Sequence, residues 1–184
     1  MATSRERNLP DIPVQPDIDL PGESTDEGLE TRLLLAECRS PAYTSSYSLA
    51  EAKKCMQWMD RVLWNRVAYP NPGYFLAKSK TLSAIVKAPG QFAGFGSYPA
   101  YASKQMVRDI LNGANSRNKS VPYGRVQIYR DHVKAALDIS KSSSIADPSP
   151  GILCAWRTQG SSSPGDNFIK YQSAGGNDFY YIKK

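Results

Sequence analysis

The run SLAEAKKCMQWMDRVLWNRV, residues 48–67, carries the clearest helical pattern in the chain. Ser48 and Glu51 stand in capping-box spacing, an arrangement typical of a helix start. Apolar side chains then recur every three or four residues, as one buried face of a helix requires; they are Ala52, Cys55, Met56, Met59, Val62, Leu63 and Val67. Because Pro70 forbids continuation, the sequence predicts a central amphipathic helix that ends before it.

Further elements are predicted on both sides of this helix. Upstream, Ser24 and Glu27 form a second capping-box pattern ahead of LETRLLLAEC at 29–38, which predicts an opening helix. Downstream, shorter helices are predicted at 81–88, at about 100–113 and at about 124–141. The last forty residues contain three β-leaning runs, ILCAWR, NFIKYQ and DFYYI, separated by turn sequences. The expected fold class is mainly α (α+β), with a small antiparallel sheet near the C-terminus.

Charge is unevenly distributed along the chain. Residues 1–30 contain eight acidic and two basic side chains, whereas 31–184 contain nine acidic and 21 basic ones, a net charge of +12. We therefore predict a flexible, proline-rich acidic arm at 1–23 and one globular domain at 24–184. The basic domain should favour a polyanionic partner such as nucleic acid, anionic lipid or peptidoglycan. No stretch has the apolar length of a membrane span or the apolar core of a secretory signal, so we expect a soluble product without membrane insertion.

The chain offers few groups for catalysis. It has one histidine, three cysteines without a CxxC pair and no Walker-type loop, so we expect neither a metal site nor a cofactor, and phosphoryl transfer is excluded. His132 lies beside the apolar stripe of its predicted helix, where a triad role is disfavoured. The cysteines are either three small buried hydrophobes, or Cys38 and Cys55 form a disulfide in an oxidising compartment.

Among the nine carboxylates of residues 31–184, Glu37 differs from the others. Four are predicted to be solvated charges on helix faces, namely Asp60, Asp109, Asp131 and Asp138. Glu37 follows Leu29 and Leu33 at intervals of four residues, so it should leave the apolar face of its helix. Burial there would raise its pKa and keep it protonated near neutrality, as the general acid of glycoside cleavage must be. The alternative is a buried salt bridge with a residue such as Arg39 or Arg66.

Five short segments, taken in order, resemble the SleB-type cell-wall hydrolases. They are LLLAECRS at 33–40, VLWNRV at 62–67, PGQF at 89–92, DPSPGILCAW at 147–156 and GGNDFYY at 175–181. The likeness spans roughly residues 29–182. Glu37 stands in the place of the family's acid, whereas Asp178 stands where that family usually has histidine.

This resemblance implies a lysozyme-like domain that cleaves the β-1,4 GlcNAc/MurNAc backbone of peptidoglycan, as a glucosaminidase or a muramidase does. Gln91 and Phe92 are expected to line the sugar subsites, with plain core packing as the alternative for Phe92. Asp178 is a further substrate-binding candidate. Tyr180 is expected to close the cleft, with Tyr181 as the alternative, because strand alternation turns one of the two toward it.

The compact domain is also similar to the glycoside hydrolase effectors of type VI secretion, which are related to FlgJ-like glucosaminidases. That similarity implies a chain made in the cytoplasm without a signal peptide, secreted, and active in the periplasm of a target cell. It also implies an immunity protein that occludes the active site.

Several groups could act as the second catalytic group, which completes the reaction after the general acid has donated its proton. Asp178 and Glu51 are reserve bases, and the substrate's own N-acetyl or 6-hydroxyl group could act instead, the latter as in a lytic transglycosylase. Rival functions are a spore or cell-wall remodelling enzyme, a non-catalytic cationic glycan-binding module and a basic nuclease. The sequence has no metal site or histidine site of the kind that a nuclease needs, so no nucleic-acid partner is expected.

Overall fold

The structure, a computed structural model, describes residues 14–43, 45–142 and 145–184. Within them the α-helices are α1 (Asp26–Glu37), α2 (Leu49–Ala68), α3 (Leu82–Val86), α4 (Lys104–Ala114) and α5 (Tyr123–Ser140), with a 3-10 turn at Pro72–Phe75. The strands are β1 (Ile152–Thr158), β2 (Ile169–Ala174) and β3 (Asn177–Ile182). The predicted α+β class with a small C-terminal sheet is confirmed. No helix in the described ranges combines the length and apolar composition needed to cross a membrane.

The central helix predicted from the sequence is α2. The Ser48 hydroxyl accepts a hydrogen bond from the Glu51 backbone N–H, and the helix ends at Ala68, ahead of Pro70. Its apolar face is fully buried, at Cys55, Met56, Met59, Val62 and Leu63. Because α1, α5 and β1 all pack against α2, burial of this face from water holds the helices and the sheet together.

The opening helix α1 starts one residue later than predicted. Its cap is Thr25, whose hydroxyl oxygen accepts a hydrogen bond from the Gly28 backbone N–H at 3.0 Å. Ser24 and Thr25 are both good caps by residue type, so the capping-box spacing that favoured Ser24 was misleading. The helix ends at Glu37, where Cys38 returns to extended backbone. Glu37 is therefore the last helical residue, as the sequence predicts.

The three strands form an antiparallel sheet in the order β1-β3-β2. In the central strand β3, the ring of Phe179 lies 5.2 Å from the ring of Trp58 on α2, which shows that this face of the sheet looks toward the helices. Trp156 of β1 pairs with Phe179 across the sheet. Side chains paired across a sheet share a face, so β1 carries Trp156 to the helical side of the molecule.

The described part of the predicted arm, residues 14–23, lies against the helices. The side-chain amide of Asn115 exchanges two hydrogen bonds with the backbone of Ile18, at 2.8 and 2.9 Å. The Arg130 guanidinium donates to the carbonyl of Pro16 at 2.8 Å. Residues 14–23 thus hydrogen-bond to the C-terminal end of α4 and to the middle of α5, while the remainder of the predicted arm, 1–13, lies outside the described residues.

A disulfide joins Cys38, just after α1, to Cys55 in α2. Of the two alternatives that the sequence left open, the structure has the disulfide. Cys154 is a free and buried thiol. The bond attaches the residue after Glu37 directly to the central helix, so it restrains the end of α1.

We expect reduction of this disulfide to destabilise the fold by about 3 kcal/mol, because a cross-link that spans 17 residues removes entropy from the unfolded chain. Urea unfolding with and without dithiothreitol measures the effect. Cys154→Ala is the matched control, since it removes a thiol without touching the disulfide and should keep the same sensitivity to reductant. Equal urea midpoints in both conditions would contradict the expectation.

Candidate functional site

Glu37 lies at the C-terminal end of α1, partly buried between that helix and the sheet. The indole Nε1–H of Trp156 donates to Glu37 Oε2 at 3.4 Å. The side-chain amide of Asn177 in β3 donates to the Glu37 backbone carbonyl at 2.9 Å, which satisfies one of the free carbonyls at the helix end. The sheet therefore holds both the backbone and the carboxyl group of this residue.

The pKa of Glu37 is raised above its ordinary value. Burial is the main cause, and the hydrogen bond from Trp156 partly offsets it. Desolvation penalises the charged carboxylate more than the neutral acid, so the protonated form persists to higher pH than in an exposed glutamate. The apolar register of α1 correctly predicted this burial. Neither of the basic side chains that the sequence suggested, Arg39 or Arg66, forms a salt bridge with Glu37.

An aromatic wall, made of Trp156 and Phe92, meets Glu37 through the indole of Trp156. Their ring centroids are 4.9 Å apart, and Trp156 also lies 6.4 Å from Phe179. Phe92 is buried and forms part of the main core, which agrees with the alternative of plain core packing that the sequence left open for it. Trp156 is partly buried. It is a site residue that sequence reasoning missed, although it falls within the segment 147–156 quoted above.

Gln91 is held beside this wall by Arg66 of α2. The Arg66 guanidinium donates to Gln91 Oε1 at 3.0 Å and to the Cys154 carbonyl at 2.6 Å. It also stacks over the rings of Phe92, at 5.0 Å, and Phe75, at 4.7 Å. Arg66 therefore joins α2, β1 and the loop that carries Gln91 and Phe92.

A second link joins α2 to the start of β1. The Asn65 side-chain amide donates to Asp147 Oδ2 and to the Leu153 carbonyl, both at 2.7 Å. Burial raises the pKa of Asp147, but hydrogen bonds from Leu153, Ser149 and Asn65 outweigh it and lower the pKa. Asp147 is thus an ionised turn residue with a structural role, as its position in a turn sequence indicated.

Two predicted site residues lie apart from Glu37. Asn177 contacts α1 and Phe179 faces the helices, so alternation along β3 places Asp178 and Tyr180 on the opposite face of the sheet. Tyr181 shares the face of Phe179 and packs against the main core. The alternative tyrosine, Tyr181, is therefore the one on the Glu37 side of the sheet.

Asp178 is occupied by contacts within the sheet. It accepts hydrogen bonds from the Ser173 hydroxyl, from the Gly160 backbone N–H at 3.0 Å and from the Lys170 ammonium at 2.9 Å. Burial acts to raise the pKa of Asp178, but these three donors outweigh it and lower the pKa to about 2. Asp178 is therefore ionised at neutral pH and belongs to the β2-β3 hairpin.

The prediction that Asp60 is a solvated charge is wrong. Asp60 is 2% exposed, and its side chain is in hydrogen-bonding contact with that of Glu30 on α1, which is fully buried. Burial, then the contact with Asp60, raises the pKa of Glu30 to about 9. Trp64 donates to Glu30 Oε2 at 3.3 Å. The sequence pattern missed this acid pair because the face of α2 that holds Asp60 is covered by α1.

This acid pair should make stability fall as pH rises. A carboxyl group whose pKa is raised stabilises the fold fully below its ordinary pKa, near 4.5, and that contribution is lost as pH rises to about 9. We expect the free energy of unfolding to fall with a slope approaching 1.4 kcal/mol per pH unit across this window, roughly the value of one proton. Glu30→Gln should flatten the slope, since the amide keeps the hydrogen bonds without ionising.

Urea unfolding at several pH values tests this prediction. Glu51→Gln serves as control, because Glu51 forms a half-exposed ion pair with Lys54 at 2.7 Å and should leave the slope unchanged. An identical pH dependence in wild type and Glu30→Gln would show that the raised pKa of Glu30 is not the cause of the slope.

His132 and Cys154, a further base and a further nucleophile, are held in buried positions. His132 is fully buried, burial lowers its pKa to about 4, and its Nδ1 lies 3.3 Å from the Tyr47 hydroxyl. The Cys154 thiol is buried, which raises its pKa to about 11. Across residues 14–43, 45–142 and 145–184, no three His, Cys, Asp or Glu side chains are grouped closely enough to hold a metal ion.

Comparison of the chain with protein-family models, with curated proteins and with solved structures found no match.

Proposed function

We propose that this protein cleaves the β-1,4-linked glycan backbone of peptidoglycan, with Glu37 as the general acid. The carrying observation is that burial raises the pKa of Glu37, whose carboxyl group accepts a hydrogen bond from Trp156. Glycoside cleavage requires a carboxylic acid that is still protonated near neutral pH. The basic charge of residues 31–184 suits an anionic polymer such as the sacculus.

The connections among the five resembling segments support the proposal. Glu37 of the first contacts Trp156 of the fourth and Asn177 of the fifth. Arg66 of the second contacts Gln91 of the third and the Cys154 carbonyl of the fourth. Two segments, up to 140 residues away, therefore contact Glu37, and the other contacts join the remaining segments to one another.

In the proposed mechanism, Glu37 transfers its proton to the glycosidic oxygen as the bond from that oxygen to the anomeric carbon breaks. The sugar on the other side of the bond develops oxocarbenium character. Asp178 is disfavoured as the second catalytic group, because three donors hold it on the far face of the sheet. We therefore favour attack by the substrate's own N-acetyl or 6-hydroxyl group; the second route is that of a lytic transglycosylase.

The disulfide between Cys38 and Cys55 supports a working site in an oxidising compartment such as the periplasm. It fits the proposal that the chain acts there as a secreted antibacterial effector. An immunity protein that covers Glu37 and Trp156 is the partner this proposal implies.

Digestion of purified sacculi, followed by mass analysis of the soluble fragments, tests the proposed function. A hydrolase releases fragments with reducing ends, and a lytic transglycosylase releases fragments lighter by one water. The terminal sugar identifies which of the two alternating bonds is cut. Sacculi that bind the protein and stay intact would favour the non-catalytic glycan-binding module instead.

Trp156→Phe should move the alkaline limb of kcat/KM to higher pH. The lost indole donor lowers the pKa of Glu37 in the native protein, so its removal raises that pKa further and keeps the acid protonated over a wider range. A pH-rate profile on a soluble glycan fragment measures the shift. Trp58→Phe is the control, because it makes the same substitution at a tryptophan that packs on Phe179 and Tyr171 and leaves the indole that donates to Glu37 in place. A limb that stays in place in Trp156→Phe would exclude Glu37 as the titrating acid.

A further inference from the structure

The 3-10 turn that follows α2 presents aromatic and aliphatic side chains to solvent. The ring of Tyr74 lies 5.0 to 6.5 Å from three other rings, those of Tyr69, Phe75 and Phe168. Phe75 is buried, whereas Tyr74 is 40% exposed and the neighbouring Leu76 is 58% exposed. The members that reach solvent, Tyr69, Tyr74, Leu76 and Phe168, are called the Tyr74 surface below. Exposed apolar clusters of this kind are typical of binding surfaces.

The backbone beneath the Tyr74 surface is held by the chain itself. Asn71 Oδ1 accepts a hydrogen bond from the Gly73 backbone N–H at 3.0 Å, and the Leu76 N–H donates to the Gly73 carbonyl at 3.0 Å. The buried ring of Phe75 anchors the turn to α2, because the Arg66 guanidinium lies 4.7 Å from it. A surface that is already ordered loses little conformational entropy when a ligand binds.

Leu76 occupies a backbone position that favours glycine. Its φ is +59°, in the left-handed region, at the end of the 3-10 turn. Glycine is the usual residue at such a turn end, because a side chain strains the backbone there. The strain and the exposure of an apolar side chain both cost free energy without stabilising the fold. A ligand that covers the Leu76 side chain would account for its presence.

The chain on both sides of this turn is basic. Residues 61–108 contain seven basic and no acidic side chains. Lys78 and Lys80 follow the turn directly in the sequence, are exposed, and take part in none of the ion pairs found among the described residues. Ammonium groups without a carboxylate partner favour a ligand that carries negative charge.

We propose that the Tyr74 surface binds the glycan strand of peptidoglycan at a place other than the residues around Glu37. Exposed tyrosine rings stack on the apolar faces of sugar rings, and their hydroxyl groups exchange hydrogen bonds with those of the sugars. The ammonium groups of Lys78 and Lys80 pair with the carboxylates of the lactyl and peptide substituents. The choice of peptidoglycan rests on the proposed function, whereas the existence of the surface does not.

The test is a sacculus pull-down with the full chain carrying Glu37→Gln, so that binding is measured without cleavage. Tyr74→Ala and Leu76→Gly are each added to this chain. We expect either change to raise the apparent dissociation constant for sacculi by about tenfold, the effect of losing a central contact side chain. Tyr123→Ala is the matched control, because Tyr123 is 41% exposed but lies on α5, and its removal should leave binding unchanged.

Leu76→Gly keeps this test decisive, because glycine suits the backbone conformation of Leu76 and the variant should stay folded. A circular-dichroism melt checks this for each variant. Weaker binding in a folded Leu76→Gly or Tyr74→Ala variant supports the surface. Unchanged binding in both, an equal loss in Tyr123→Ala, or a chain that binds no sacculi at all would overturn the proposal.

The outcomes separate the Tyr74 surface from the proposed function. Sacculus cleavage by the wild type, together with unchanged binding in the Tyr74→Ala and Leu76→Gly variants, would reject the surface and leave Glu37 as the acid. Sacculus binding that depends on Tyr74, without any cleavage by the wild type, would support the surface and reject the glycosidase. If both proposals hold, Tyr74→Ala in the otherwise wild-type chain should raise KM for sacculi and leave kcat unchanged.

Discussion

Glu37→Gln is expected to lower the rate of sacculus cleavage by about 10²- to 10⁴-fold, the usual contribution of a general acid. Glutamine has nearly the same shape and can still accept the hydrogen bond that Trp156 donates to Glu37 Oε2. It has no acidic proton to give to the leaving oxygen. The loss should therefore fall on kcat, with binding to sacculi retained. Release of soluble fragments and a sacculus pull-down measure the two effects separately.

The matched control for this prediction is Glu51→Gln. Glu51 is one of the two reserve bases, but its carboxylate is half exposed and paired with Lys54, so its removal should change cleavage by less than a factor of about two. The thermal unfolding midpoint of Glu37→Gln should be at or above that of the wild type, because a neutral amide replaces an acid that burial disfavours. A Glu37→Gln variant with full activity would remove the basis of the glycosidase proposal, whatever its stability.

Arg66→Ala is expected to destabilise the fold by about 3 to 5 kcal/mol. Arg66 is 4% exposed, and its charged guanidinium donates to the Cys154 carbonyl and to Gln91. Each hydrogen bond from a charged group contributes roughly 1.5 to 3 kcal/mol, and the abandoned buried acceptors have no water to replace the donor. Loss of stacking on Phe75 and Phe92 adds to the effect.

Urea unfolding measures this change, with Arg157→Ala as the control. Arg157 lies on β1, the strand that also carries the Cys154 carbonyl, but its side chain is exposed. Arg157→Ala should therefore change the free energy of unfolding by no more than about 0.5 kcal/mol. A loss below about 1 kcal/mol in Arg66→Ala would mean that water or a rearranged side chain satisfies the Cys154 carbonyl. In that case Arg66 would not be the element that positions the loop with Gln91 and Phe92.

Much of the fold followed from local sequence. The apolar spacing in α2, the cap at Ser48 and the stop before Pro70 are properties of neighbouring residues, and the three C-terminal strands fall where β-leaning runs alternate with turns. The burial of Glu37 also followed from its register with Leu29 and Leu33 in α1. Each of these features depends on residues no more than a few turns of helix away.

Other features required the folded chain. Asp60 has a basic neighbour in the sequence and was predicted to be solvated. In the structure α1 covers Asp60 and supplies Glu30 as its partner. Trp156 reaches Glu37 across 119 residues of sequence, and no local pattern indicates such a contact. Asp178 and Tyr180 fell on the opposite face of the sheet because the direction of alternation in β3 depends on which side the helices pack.

Helices and strands could be predicted from the sequence because side-chain spacing repeats along the backbone itself. It was enough to place the elements and to turn Glu37 inward. The partners of each buried carboxyl group depend on tertiary packing, because those partners lie on segments that are distant in the sequence and close in the folded chain. That is why one glutamate was found from its own helix, while the acid pair, the tryptophan donor and the inward-facing tyrosine emerged from tertiary contacts.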